Sequence, residues 1–127
     1  MKREAKSLLS KSVDSLILGI EIFNRPSNVG RVSGVLIFLD HSFEMLLKAA
    51  IIHNGGKIRD TKDPSRTISF DKCLRVALTE KKFVSNEQVI TLQILNNLRD
   101  AAMHHLIDIS LIKYSNQKKH FLHDKQF

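Results

Sequence analysis

Apolar residues recur along this chain at three- and four-residue spacing, the pattern of amphipathic helices that pack on other helices. The spacing predicts a first helix over residues 5–23 and a second over 31–54. Pro26 separates them, because proline disfavours helix in the residue before it, and Gly55-Gly56 ends the second helix. The stripes expected to face the core are Leu9, Val13, Leu16, Ile17, Ile20 and Phe23, then Val35, Phe38, Leu39, Phe43, Leu46, Leu47, Ala50 and Ile51.

The second half of the chain predicts two further helices. Residues 57–69 are polar and basic and are expected to form a loop or short hairpin, after which Ser69 caps a short helix to about Thr79. The run Ser-Asn-Glu-Gln at 85–88 is a capping box that starts a long helix to about Tyr114. Residues 114–127 are expected to be a basic tail, frayed or extended helix. The prediction is one all-α domain over residues 1–127, an up-and-down bundle of four main helices.

Composition and charge narrow the class of protein. A chain that is 43% hydrophobic, without tryptophan and with two prolines, favours a helical bundle over a turn-rich sandwich. The single cysteine, Cys73, cannot form an internal disulfide, which favours a cytoplasmic setting. Lys11 and Asp14 interrupt any signal-peptide core, and the apolar run 35–39 is too short to cross a bilayer, so no membrane partner is expected. The net charge of +7 favours a polyanionic partner, although solubility alone also explains it.

The long last helix carries the most informative polar residues. At about 100° per residue, Asn96, Asp100 and His104 form a row at four-residue steps, and Arg99 lies at its border. Asp100 lies one turn before His104 and can orient its ring, which gives an acid–base group beside a cation. The competing interpretation is that the row is only the solvated face of the helix. The apolar face expected to oppose it consists of Leu95, Leu98, Ala102, Leu106 and Ile109.

Other polar residues predict structure rather than chemistry. His105 points toward the flank of the apolar face, so we expect it to be packed or at an interface. On the second helix, Asp40, Glu44 and Lys48 form a four-residue ladder, for which an ion pair from Glu44 to Lys48 is favoured over a direct role. No zinc-ligand spacing, glycine-rich phosphate loop or nucleophile motif occurs, so no metal and no cofactor is expected.

The segment 97–104, Asn-Leu-Arg-Asp-Ala-Ala-Met-His, resembles the signature of the HEPN superfamily (higher eukaryotes and prokaryotes nucleotide-binding domains). That signature is an Arg, usually followed by a polar residue, and then a His after four to six positions. Arg99, Asp100 and His104 match it, and His105 fits a spacing one residue longer. Residues 43–49 resemble HEPN second helices, and residues 11–26 and 68–74 look like segments of an uncharacterised HEPN family associated with phage defence. Many HEPN toxins carry a modifiable tyrosine two residues after the motif histidine, but this chain has Leu106 at that position.

The resemblance implies a metal-independent endoribonuclease that acts as a homodimer, with the motif helices facing each other. His104 would be the general acid or base, Arg99 would stabilise the charge on the phosphorane, and Asp100 and Asn96 would hold both in place. His105 and Glu44 are further supporting candidates. RNA is the expected partner, in a phage-defence or toxin–antitoxin context that can include an antitoxin or regulatory protein. The alternative is a non-catalytic HEPN-like module for binding RNA or nucleotide, or for dimerisation. A helix-turn-helix DNA-binding protein has little support, because no basic recognition helix follows a tight turn.

Overall fold

The computed structural model describes residues 1–124, and their side chains except those of 109, 110 and 119–124. Over this range the protein is all-helical, and the prediction of an all-α bundle of four helices is confirmed. The third helix is shorter than predicted because it passes into a π-helical turn, whereas the fourth extends beyond Tyr114. The elements are α1 (Arg3–Phe23), α2 (Arg31–His53), α3 (Phe70–Arg75), the π-helical turn (Val76–Glu80) and α4 (Asn86–Asp124).

The connection between α2 and α3 forms the predicted short hairpin. Arg59 and Thr67 pair as an antiparallel bridge. Next to it, the backbone N–H of Ile68 donates to the carbonyl of Ile58 at 2.7 Å. Both isoleucines are buried in the core. The hairpin therefore closes one side of the helical layer with apolar side chains, although its tip is polar.

The predicted caps of the last two helices are present. The Ser69 hydroxyl accepts a hydrogen bond from the backbone N–H of Lys72 at 3.2 Å. At the start of α4, the N–H of Gln88 donates to the Ser85 hydroxyl at 3.1 Å, and the Gln88 side chain accepts from the N–H of Ser85 at 2.9 Å. These bonds satisfy backbone donors that the first helical turn leaves unpaired.

Small residues form the central part of the contact between α1 and α2. The Ser12 hydroxyl donates to the carbonyl of Ser42 at 2.8 Å, and the Ser42 hydroxyl donates to the carbonyl of Ser12 at 2.8 Å. A Cβ atom added to Gly19 would lie 3.6 Å from the Cβ of Phe38, so no large side chain fits between the helices there. The reciprocal bonds require the two backbones to approach closely.

This close approach overturns most of the predicted core stripe of α1, although Leu9 does pack against the core. The buried positions of α1 are Ala5, Leu8, Ser12, Ser15 and Gly19. The large apolar residues on its flank are instead exposed: Val13 by 48%, Leu16 by 42%, Ile17 by 48%, Ile20 by 52% and Phe23 by 64%. On α2 the predicted stripe is partly correct, because Leu47 and Ile51 are buried, but Leu46 is 42% exposed.

α2 is the central helix. α1 packs against one side of it and α4 against another, and in the described part of the chain α4 makes at most marginal contact with α1. α4 runs antiparallel to α2, because Glu87 faces the same groove as Ala50 and Asn96 lies beside Asp40. The deepest side chains of the core are Ile51, Leu74 and Cys73. Burial raises the pKa of the Cys73 thiol to about 11, which fits the prediction of a small core residue.

No helix in residues 1–124 carries an apolar stretch long enough to span a bilayer.

Candidate functional site

A buried carboxylate marks the polar junction between α2 and α4. Asp40 is 4% exposed and interrupts an otherwise apolar stretch of α2. The Asn96 amide on α4 donates to both of its carboxylate oxygens, at 3.2 and 3.3 Å. The Arg99 Nε lies 3.8 Å from the Asp40 Oδ2. Two side chains of α4 therefore compensate one buried charge on α2.

Arg99 is held between two carboxylates. Its Nη1 donates to the Asp100 Oδ1 at 3.1 Å, while its Nε faces Asp40. The Arg99 side chain is 39% exposed and that of Asp100 is 56% exposed. The guanidinium is thus oriented from the protein side and still open to solvent, where an anionic ligand can reach it.

The environment of Asp40 contains opposing influences on its acidity. Burial raises the pKa of Asp40 above its ordinary value of 3.8, and this effect outweighs the hydrogen bond from Asn96 and the positive charge of Arg99, which lower it. The negative charges of Glu44 and Asp100 raise the pKa further. The junction therefore makes Asp40 a weaker acid than an exposed aspartate.

Asp40 is expected to give the folding equilibrium a recognisable pH dependence. The folded state binds this proton more tightly than the unfolded chain, so the resulting stabilisation is complete below the unfolded pKa of 3.8 and is lost as the pH rises through the raised folded value. The Asp40→Asn variant has no carboxyl group at this position that could bind the proton. The free energy of unfolding of wild type minus that of Asp40→Asn should therefore increase as the pH falls from 7 toward 4.

Urea denaturation at a series of pH values measures this difference. The exposed Asp14 provides the matched control, Asp14→Asn, for loss of one surface carboxylate. A difference between wild type and Asp40→Asn that stays flat over this pH range would contradict the account of Asp40.

The structure separates the members of the predicted polar row. Asn96 turns toward α2, whereas Asp100 and His104 are exposed. His104 follows Arg99 by five positions, which places the two side chains about 140° apart around the helix axis. Among the ion pairs of the described side chains, Asp100 pairs with Arg99 and not with His104. The role of Asp100 in orienting the ring of His104 stays a prediction.

The apolar face predicted for α4 also needs correction. Ala102 is buried and Leu95 and Leu106 are half-buried, as expected, but Leu98 is 49% exposed. Asn96 and Arg99 occupy part of the contact with α2, where they pair with the Asp40 carboxylate. Leu98 therefore lies outside this contact. The predicted position of Ile109 lies outside the described side chains.

His104 and His105 lie in an apolar surface. Both are exposed on the side of α4 that faces away from α2. His105 is thus not packed within the chain, which leaves an interface as the remaining part of that prediction. Large apolar residues line α4 before and after the histidines, and we call them the outer stripe: Ile90 (57% exposed), Ile94 (54%), Leu98 (49%), Ile107 (51%), Leu111 (62%) and Ile112 (60%).

Glu44 has the structural role that the sequence favoured. The Lys48 ammonium donates to the Glu44 carboxylate at 3.1 Å and to the Thr67 hydroxyl at 2.8 Å. Lys48 is only 4% exposed, and the half-buried side chains of Glu44 and Thr67 compensate its buried charge. This group ties the hairpin to α2, one helical turn from Asp40.

Asp40 belongs to the four-residue ladder predicted on α2, but the sequence does not predict its place in the α2–α4 junction. A usable signal was present, because a carboxylate directly after the apolar run 35–39 is buried only when it is paired. Its partners, Asn96 and Arg99, are more than 50 residues away and cannot be found by spacing. No three His, Cys, Asp or Glu side chains of the described residues converge where they could share a metal ion.

A family model described as "Domain of unknown function (DUF3644)" matches residues 7–122, which include the whole α2–α4 junction. The chain belongs to the DUF3644 family. A search of curated proteins found no match, and neither did a search of solved structures. The four helices described above are thus a structure for a DUF3644 domain, with Asp40, Asn96, Arg99 and His104 inside the matched range.

Proposed function

We propose that this DUF3644 domain is a HEPN-like, metal-independent endoribonuclease that acts as a homodimer. The observation that carries the proposal is Arg99, fixed by Asp40 and Asp100 yet open to solvent, with the exposed His104 little more than one turn further along the same helix. The resemblance of residues 97–104 to the HEPN signature gives this pair its chemical interpretation.

Arg99 has the properties of a phosphate-binding group. A guanidinium held in place before the reaction needs little reorganisation when negative charge develops on a phosphorane. Asp40 and Asn96 set its position from the buried side, and Asp100 sets it from the exposed side. The net charge of +7 attracts the polyanionic substrate toward this surface.

His104 supplies the proton transfer. As a base, its imidazole removes the proton of a ribose 2′-hydroxyl, and as an acid it protonates the leaving 5′-oxygen. The 2′-oxygen forms a bond to the adjacent phosphorus, and the bond from phosphorus to the 5′-oxygen breaks. The products are a 2′,3′-cyclic phosphate and a 5′-hydroxyl, and the reaction consumes neither water nor an oxidant.

The outer stripe supports the homodimer. Its residues flank the histidines on both sides along α4, so two antiparallel copies of the helix can cover each other's apolar residues around a two-fold axis. Ala101 lies at the middle of the stripe, where its small side chain permits close approach of the helices. In that arrangement the two His104 side chains lie near the two-fold axis, and each Arg99 reaches toward the cleft from the α2-facing side of its own helix.

The alternative function is a non-catalytic HEPN-like module that binds RNA or nucleotide, or that only dimerises. The pairing of Arg99 with two carboxylates favours this alternative to the extent that the cation is already neutralised.

We place the active form in the cytoplasm, in phage defence or a toxin–antitoxin system, where an antitoxin or regulatory partner restrains it.

Incubation of a labelled structured RNA, such as mixed tRNA, with the purified protein in EDTA tests the function. We expect cleavage with fragments that end in a 2′,3′-cyclic phosphate and begin with a 5′-hydroxyl, because the attacking group is the substrate's own 2′-hydroxyl. End-specific labelling and ligation identify these groups. RNA that is bound but left intact would favour the non-catalytic module.

A further inference from the structure

An apolar groove of about 610 Å³ opens between α2 and the first turns of α4. The connection between the π-helical turn and α4 forms its end. Glu87 is the one charged residue among the side chains that line it, and Leu46 on its wall is 42% exposed. The lining residues are Phe43, Leu46, Leu47, Ala50, Phe83, Val84, Glu87, Gln88, Thr91 and Leu92.

The far end of α4 has the complementary character. We call residues 107–118 the arm, and all of its described side chains are exposed. Leu111 and Ile112 are 62% and 60% exposed, and the charged residues after them, Lys113 and Lys118, are both positive. Beyond Asp108, its one acidic residue, the arm thus presents apolar and basic side chains, and the groove presents apolar side chains and a carboxylate.

The arm cannot fill the groove of its own chain. α4 is one continuous helix from Asn86 to Asp124. At a rise of about 1.5 Å per residue, Thr91 in the groove and Ile112 in the arm lie about 30 Å apart along a rigid rod. Within the described residues, the two surfaces can meet only when the arm comes from another molecule.

We propose that the arm of one copy docks in the α2–α4 groove of a second copy of this chain. The docking rests on the proposed dimer, in which two α4 helices run antiparallel across a two-fold axis near Ala101. The distance along α4 from Ala101 to Asn86 is about 22 Å, and from Ala101 to Lys118 about 25 Å, so the arm is long enough to reach the groove.

The same arrangement sets the register of the contact. It brings Ile112 of one copy beside Ile90 and Thr91 of the other, and it brings Lys113 close to Glu87. A standard specific interface buries about 800 Å² of each partner, and the outer stripe and the groove together offer a mainly apolar surface for such a contact. Two-fold symmetry fills both grooves at once.

Disulfide cross-linking tests the register. In Thr91→Cys/Ile112→Cys the two cysteines lie too far apart to pair within one chain, and Cys73 is buried. We expect a covalent dimer under mild oxidation, whereas each single variant and the control pair Thr91→Cys/Phe23→Cys remain monomeric on non-reducing gels. Phe23 is 64% exposed on α1 and belongs to neither the groove nor the arm.

Sedimentation equilibrium tests the charge complementarity. Glu87→Lys is expected to weaken the dimer about tenfold in Kd, and Lys113→Glu in the same chain to restore most of that loss. Ile112→Glu should weaken the dimer at least tenfold, whereas Phe23→Glu should leave Kd unchanged. A dimer with wild-type Kd in all variants and without cross-links would overturn the docking but leave the dimeric nuclease standing. A wild-type protein that is monomeric at high micromolar concentration would overturn both.

Discussion

His104→Ala is expected to lower the rate of RNA cleavage by about 10²–10⁴-fold, the usual contribution of a general acid or base. The side chain is exposed, so its removal should leave the helical content, the unfolding midpoint and the dimer unchanged. Binding of RNA, measured by fluorescence anisotropy, should change little, because the imidazole acts on the proton transfers. A loss of rate without a loss of affinity is the result that identifies a catalytic group.

His105→Ala is the matched control for this result. His105 is the same residue type, adjacent in sequence and equally classed as exposed, but it projects about 100° away around α4. We expect it to retain most of the activity. If His105→Ala abolished cleavage and His104→Ala did not, the motif histidine would be His105, and the assignment of His104 would be wrong.

Arg99→Ala is expected to have two large effects. Cleavage should fall by about 10²–10³-fold, because a preorganised donor to the developing charge is lost. The free energy of unfolding should also fall by about 1–2 kcal/mol, because the buried carboxylate of Asp40 keeps only Asn96 as a partner. We expect no larger loss of stability because the Arg99 side chain is 39% exposed and water screens its ion pair with Asp40.

Two further variants separate these effects. Arg99→Ala/Asp40→Asn should recover most of the stability, since the uncompensated charge is gone, but none of the activity. Arg99→Lys keeps the charge and loses the planar fork that meets Asp40 and Asp100 together, so it should remain well below wild-type activity. Full activity of Arg99→Ala in a folded protein would contradict the role of Arg99 in cleavage.

The helices could be predicted from the sequence because their periodicity and caps are local. The side of α1 that faces α2 could not be predicted in this way. A prediction from apolar periodicity assumes that large side chains fill the contact between helices. Here Ser12, Ser15 and Gly19 allow the backbones to approach, and the reciprocal bonds between Ser12 and Ser42 hold them there. A row of small residues at three- and four-residue spacing was the visible signal for this arrangement.

The candidate site is also only partly predictable from the sequence. The linear motif identifies Arg99 and His104, and their positions on α4 follow from helical geometry alone. The partnership of Asp40 with Asn96 and Arg99 depends on the antiparallel packing of α2 and α4, which no local pattern specifies. It also holds Arg99 where its guanidinium pairs with Asp100 at 3.1 Å.

Cleavage of one labelled structured RNA in EDTA, by wild type and by His104→Ala purified in parallel, tests the central claim most directly. We expect wild type to cut the RNA and leave 2′,3′-cyclic phosphate ends, whereas His104→Ala, still folded and dimeric, should bind the RNA and leave it intact. Equal cleavage by both proteins, or none by a wild type that binds the RNA as a folded dimer, would contradict it.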